Sequence, residues 1–299
     1  MQAFHADQFV LPLPPGHSFP MGKYRLLREA VHATLPQIRV MPVEPASDGE
    51  LALAHEPAWI SAVAEGTTTA AQQREIGFPW SPAMVERARR SVGATIQAAR
   101  TALFGNEGVA ANLAGGTHHA YAGHGEGYCV FNDSAVAARA MQAEGRARRV
   151  VIIDCDVHQG NGSAAILAGD DTIYTFSIHG ANNFPFHKEQ SDLDIALPDG
   201  AADEAYLDAL DRGLCQAIES SRADLAIYLA GADPFEDDKL GRLKLSKRGL
   251  AERDRMVFEY CRGAGLPVAI SMAGGYARDI ADTVDIHFAT VSAAARLAG

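Results

Sequence analysis

Four short clusters in this chain carry residue types suited to metal binding and acid–base chemistry: Gly115-Gly116-Thr117-His118-His119, Asp154-Cys155-Asp156-Val157-His158, Gly231-Ala232-Asp233-Pro234 and Ala273-Gly274-Gly275-Tyr276. Asp154, Asp156 and His158 alternate, and period-two spacing at a strand end puts all three on one face, where two carboxylates and an imidazole could surround a cation. Two carboxylates buried together without a cation would resist ionising. Taken alone, those residues are equally compatible with an acidic turn that caps the next helix. Tandem His118 and His119 offer two imidazoles near neutral pKa for acid and base work, the alternative being hydrogen-bonded structural histidines. Asp233 would complete three protein ligands and leave a fourth position for water, as in catalytic zinc sites; on its own it reads as a turn aspartate. Tyr276 follows two glycines that let backbone approach closely, so its phenol could donate to an oxyanion. The signal lies in the four occurring together.

Elements able to position these clusters are legible around them. Short apolar, β-branched runs over 109–113, 150–155, 172–177, 225–229 and 268–272 predict buried strands. Between them, helical spacing predicts helices over 82–103, 133–144, 202–220, 247–263 and 281–297. Alternation with long crossovers implies a mostly parallel sheet with helices on both faces. Each cluster follows a predicted strand, and in open parallel sheets ligands bind outside the carboxyl ends of strands, so all four should share one rim. The segments 44–49 and Gly66-Thr67-Thr68-Thr69 read as surface loops. The first hundred residues carry less pattern.

With 299 residues, 47% of them apolar and 21% charged, the chain has the composition of an ordered globular protein and predicts one domain over 1–299. A net charge of -11 disfavours charge-driven binding to nucleic acid or an anionic membrane. The first twenty residues lack a basic start with an apolar stretch, and no apolar run approaches the ~20 residues of a membrane span, so the expected setting is cytoplasmic. Cys129, Cys155, Cys215 and Cys261 contain no Cys-x-x-Cys pair and read as free thiols.

The run Gly116-Thr117-His118-His119, Gly127-Tyr128-Cys129-Val130-Phe131-Asn132-Asp133, Asp154 to Gly162, Gly231-Ala232-Asp233 and Gly274-Gly275-Tyr276 resembles the histone deacetylase family, which also takes in acetoin-utilisation proteins and acetylpolyamine amidohydrolases. The wording at His158-Gln159-Gly160-Asn161-Gly162 and Asp238-Lys239-Leu240-Gly241 is most similar to the class IV, eleventh-type branch and its bacterial relatives. The resemblance implies an arginase-like (deacetylase-like) α/β fold with an eight-stranded, mostly parallel sheet, and zinc held by Asp156, His158 and Asp233. Iron(II) or cobalt(II) would suit the same donors. It further implies His119 as general base, His118 as its electrostatic partner oriented by Asp154, and Tyr276 as oxyanion donor. Tyr128 and Phe184, with Gly127 and Gly274, match the family's substrate tunnel; core packing is the alternative for the two aromatics. Ser177, with backbone oxygens near Asp154, Asp156, His158 and Ile178, matches an inner monovalent-cation site that would take potassium. Where class I members pair the second histidine with aspartate, this chain has Asn161, as class II and IV members do, so the pKa of His119 should lie lower than with a carboxylate partner.

The expected activity is removal of acetyl or longer acyl groups from lysine side chains of proteins or peptides, or from related amines such as acetylpolyamines. An arginase-type ureohydrolase needs further aspartates for two metals, and Gly160 stands where one would be required. A non-catalytic acyl-lysine-binding protein is the alternative from another class. The complete set of reactive residues argues against it.

Overall fold

The computed structural model describes residues 1–297; the last two residues of the domain expected over 1–299 lie outside the described residues. Among the described residues, strands β1 (Gln2–His5), β2 (Arg39–Pro42), β3 (Val109–Asn112), β4 (Val150–Asp154), β5 (Ile173–Gly180), β6 (Leu193–Leu197), β7 (Leu225–Leu229) and β8 (Val268–Ser271) form one sheet in the order β2-β1-β3-β8-β7-β4-β5-β6. Every neighbouring pair is parallel. The mostly parallel sheet expected from alternation is thus parallel throughout.

Helices α1 (Gly22–Thr34), α5 (Pro82–Phe104), α6 (Asp133–Ala143), α8 (Asp203–Ser221), α9 (Lys247–Gly263) and α10 (Ile280–Leu297) cover the two faces. In β4, Val150 and Ile152 pack into one core with Val92 and Ile96 of α5 and Met141 of α6. Val151 and Ile153, pointing the other way, join Leu27 of α1, Leu210 and Leu214 of α8, Val257 of α9 and Val291 of α10. Period-two alternation therefore feeds two apolar layers from one strand, which is why the central strands read as continuous apolar runs. Each such fully buried valine or isoleucine contributes about 1.5–3 kcal/mol over leaving it in water.

Three strands, the 13-residue α1 and several short helices lie outside the sequence prediction. Strands β2 and β6 are the sheet edges, and their partly exposed residues do not make the apolar run that marks a central strand. Strand β1 is internal but only four residues long. The two segments expected to be loops both run into helices. Ser47 and Glu50 form a reciprocal capping box that starts α2 (Asp48–Leu51), and Thr69 and Gln72 do the same for α4 (Ala70–Ile76). Helices α3 (Pro57–Glu65) and α7 (Asn161–Leu167) complete the set.

Candidate active site

All four reactive clusters follow β3, β8, β7 and β4, which are consecutive in the middle of the sheet. Their side chains meet at the carboxyl ends of those strands, as the strand-end rule requires. The turn after β3 is organised by Asp133, the first residue of α6. Its carboxylate accepts from Gly116 N at 3.0 Å, Thr117 N at 2.7 Å and Thr117 Oγ1 at 2.8 Å, and these bonds set where His118 and His119 emerge.

Strand β4 ends at Asp154, so the period-two expectation holds only to that residue, and Asp156 and His158 arrive by a turn. Asp156 N donates to Asp154 Oδ1 at 3.1 Å, and His158 N donates to Asp156 Oδ1 at 2.9 Å. Val157 N donates to Asp233 Oδ1 at 2.9 Å and ties this turn to the one after β7. Buried Arg253 of α9 donates to the carbonyls of Gly231 and Cys155, so one guanidinium holds the backbone of both turns.

Asp156, His158 and Asp233 each offer one donor atom, all within 4.8 Å of one another and all from buried residues. His158 Nδ1 lies 2.9 Å from Asp156 Oδ1 and 3.2 Å from Asp233 Oδ2. Asp233 Oδ2 is buried without a hydrogen-bond partner. A Cβ on Gly274 would run into Asp233 Oδ2 and come within 2.6 Å of Asp156 Oδ2, so this cradle needs glycine there. An orphaned carboxylate oxygen, a second carboxylate and an imidazole converging on one point fit a divalent cation. The protonation pattern without an ion agrees. Burial and the charge of Asp156 push Asp233 up to about 7. Burial opposes charging of His158, but Asp156 and Asp233 outweigh it and raise its pKa to about 10. In effect a proton on His158 offsets charge that an ion would otherwise balance.

The paired histidines are set apart by their partners. His118 Nδ1 donates to Asp154 Oδ2 at 2.6 Å; burial opposes its charging, yet Asp154 and Asp156 raise its pKa to about 9. His119 Nδ1 lies 2.7 Å from Asn161 Oδ1, and burial together with the neighbouring His118 and His158 holds its pKa well below the usual range. The hydrogen bond to Asn161 acts in the opposite, raising direction, so burial and the two neighbouring imidazoles, not the amide partner, account for the low value. Ring centroids of the two histidines are 4.2 Å apart.

A cavity of about 380 Å³ opens above this cluster and is lined by His119, Gly127, Tyr128, His158, Phe184 and Tyr276, among others. Phe184 packs edge-on to His119, with centroids 4.9 Å apart. Gly127 has φ 56°, and a Cβ there would meet His119 at 2.7 Å and Phe184 at 3.0 Å, so glycine keeps the wall open. Tyr128 follows in the same left-handed conformation at φ 68°, an uncommon state for a non-glycine residue, with its hydroxyl 2.6 Å from Ser18 Oγ. Tyr276 is 9% exposed, and burial raises its pKa well above that of a free phenol, which keeps it a proton donor. Ser177 pairs in register with Asp154, and its hydroxyl bonds His179 Nδ1 at 3.0 Å; Ile178 is the next residue of β5. Sequence reasoning did not single out Lys23, Glu126 or Arg253. Buried Lys23 lies 3.3 Å from the carbonyls of both Ala273 and Gly275, beneath Tyr276.

A parallel sheet whose central strands deliver two histidines, an Asp-His-Asp donor set and a buried tyrosine to one end of the sheet defines an arginase-like hydrolase architecture. Residues 17–291 match the histone deacetylase domain, and the chain belongs to the histone deacetylase family. It is 43% identical over 290 residues to an uncharacterized protein of Picosynechococcus sp., covering 95% of this chain and 94% of that protein. It is 36% identical over 204 residues to histone deacetylase 2 of Arabidopsis thaliana, covering 66% of this chain and 52% of the relative. Among solved structures, an HDAC homolog from Aquifex aeolicus superposes with a TM-score of 0.83 at 22% identity, covering 98% of this chain and 84% of that one, which bears on the fold. Among the described residues, no helix is long and apolar enough to cross a membrane.

Proposed function

We propose that this protein is a zinc-dependent amide hydrolase that removes acyl groups from lysine side chains or related amines. The reading is carried by the convergence of Asp156, His158 and Asp233 with two differently partnered histidines at the floor of one aromatic-lined cavity. Asp156, His158 and Asp233 would hold the ion, whose chemistry is to acidify a water toward pKa ~7 and to polarise the acyl carbonyl.

The chain's own residues divide the remaining work. His119, kept neutral by its surroundings, accepts a proton from the attacking water and returns it to the leaving amine. His118, held by Asp154, carries positive charge beside it. Tyr276 donates its phenol hydrogen to the acyl oxygen as charge builds there. Tyr128 and Phe184 enclose the methylene stem of the substrate and exclude water. Backbone oxygens near Asp154, Asp156, His158 and Ile178, with Ser177, would take potassium and stiffen the β4 turn from behind. The motif wording supports a place beside class IV relatives.

The test is an assay of zinc-loaded wild type and Asp233→Ala against acetyl-lysine, long-chain acyl-lysine and acetylpolyamine substrates. Turnover lost in the variant is expected, and the preferred substrate names the class. No turnover on any member by wild type with its metal bound would put a non-catalytic acyl-amide-binding protein ahead.

A further inference from the structure

Asn161 stands between His119 and the carboxylate of Glu126. Its Oδ1 faces His119 Nδ1 at 2.7 Å, while its Nδ2 faces Glu126 Oε1 at 2.5 Å and the hydroxyl of Tyr121 at 3.0 Å. That hydroxyl donates onward to Glu189 Oε1 at 3.2 Å. An ionised carboxylate only accepts, so the amide end beside Glu126 must be the NH2 group. Tyr121, already donating to Glu189, also presents a lone pair to the same NH2. Both acceptors turn the amide the same way, and its oxygen is left for His119. An oxygen there requires hydrogen on Nδ1, so Nε2 is the unprotonated nitrogen of the neutral ring.

Groups facing His119 from the surrounding elements do not set this choice. His118 and His158 lie at 4.2 and 5.8 Å between ring centroids, and Asp156 acts on His119 through space; none is its hydrogen-bond partner. Among the described residues, Glu126 forms no ion pair, and its side chain bonds to Asn161 instead. Asn161 is 1% exposed, so water is poorly placed to substitute as acceptor.

We propose that Glu126 is a positioning residue that, through Asn161, fixes the tautomer of His119 with its basic Nε2 free. This rests on the proposed role of His119 for its catalytic consequence, but the tautomer itself is measurable without turnover.

The experiment is nitrogen NMR of histidine-labelled, zinc-loaded protein, with the His119 signals assigned by their loss in His119→Ala, alongside kcat and KM. Wild type should show hydrogen on Nδ1. Glu126→Gln, which still offers an acceptor to Asn161, should keep that tautomer and turn over within about threefold of wild type. Glu126→Lys offers only donors, so the amide should rotate, the hydrogen should move to Nε2, and kcat should fall roughly ten- to a hundredfold with KM little changed. The double variant Glu126→Ala/Tyr121→Phe removes both acceptors without adding charge and should populate both tautomers. An unchanged Nδ1–H tautomer in Glu126→Lys and in the double variant would overturn the proposal. Wild type that hydrolyses no acyl amide, yet shows the tautomer shift between variants, would overturn the proposed function and leave the role of Glu126 standing.

Discussion

Tyr276 donates its backbone N–H to Asp238 Oδ2 at 2.6 Å, while the other oxygen of the same carboxylate accepts from Leu240 N at 2.8 Å and Gly241 N at 2.9 Å. One buried aspartate thus joins the loop whose Leu240 lines the cavity to Tyr276, which lines the same cavity. Asp238→Ala would strand three backbone N–H groups. We expect a loss of about 3 kcal/mol in denaturant unfolding, with kcat reduced more than KM is raised, because the phenol loses its anchor. Asp238→Asn keeps one acceptor and should fall between. Wild-type stability and turnover in Asp238→Ala would dissociate the loop from the site.

Tyr276→Phe removes a hydroxyl and leaves the ring packed against its neighbours, with centroids 6.1 Å from Tyr128 and 6.4 Å from His158. Metal content and stability should be unchanged, while kcat falls roughly a hundred- to a thousandfold, as for loss of one oxyanion donor. A variant with near-normal turnover would end the proposed role of this phenol.

Removing the metal should destabilise the fold as well as stop turnover. Without an ion, Asp156 and Asp233 face each other in a buried site, and Asp233 is pushed up to about 7 by burial and by Asp156. Chelation should therefore lower Tm, and zinc at a thousand times its Kd should restore about 4 kcal/mol. Asp233→Asn preserves an acceptor for Val157 N and removes one charge, so the metal-free variant should be at least as stable as the metal-free wild type. It should also show little rise with zinc. Equal zinc-dependent shifts in the two proteins, read by thermal melts, would remove Asp233 from the ligand set.

Much of this site could be read from the sequence because its residues sit in fixed positions relative to apolar strands. Asp154, Asp233 and Tyr276 each follow a run that is buried on both faces, and such runs are recognisable without knowing what surrounds them. Edge strands β2 and β6 lack that signature because part of their surface meets solvent, and they went unpredicted. The caps of α2 and α4 were written in the sequence as Ser47-x-x-Glu50 and Thr69-x-x-Gln72, yet short helices with little apolar periodicity read as loop. Residues that act through others were harder. Glu126 stands just before the run that begins at Gly127, and Asp238 opens the run Asp238-Lys239-Leu240-Gly241, but spacing does not tell that one meets Asn161 and the other Tyr276 across 35 and 38 residues. Arg253 sits mid-helix, where an arginine ordinarily faces water, and only the packing of α9 beneath the turns after β4 and β7 explains its complete burial.

His55 links acid stability to the same site. Its Nε2 accepts from Asn132 N at 2.8 Å and its Nδ1 donates to the carbonyl of Tyr121 at 3.0 Å, a pattern that only the neutral ring can make. Burial lowers its pKa from 6.5 to about 4. A folded value below the unfolded one means that the stabilisation is fully present above about pH 6.5 and drains away as pH falls toward 4, by at most about 3 kcal/mol. Asn132 caps α6 and its Nδ2 reaches the carbonyls of His118 and Ala120 at 3.4 and 3.2 Å, so protonating His55 should loosen the turn that presents both histidines. In His55→Gln, the pH dependence of unfolding free energy between pH 6.5 and 4 should be shallower than in wild type by up to that amount. Carboxylates elsewhere titrate in both proteins and cancel in the difference. Parallel curves would show that His55 does not stay neutral in the fold.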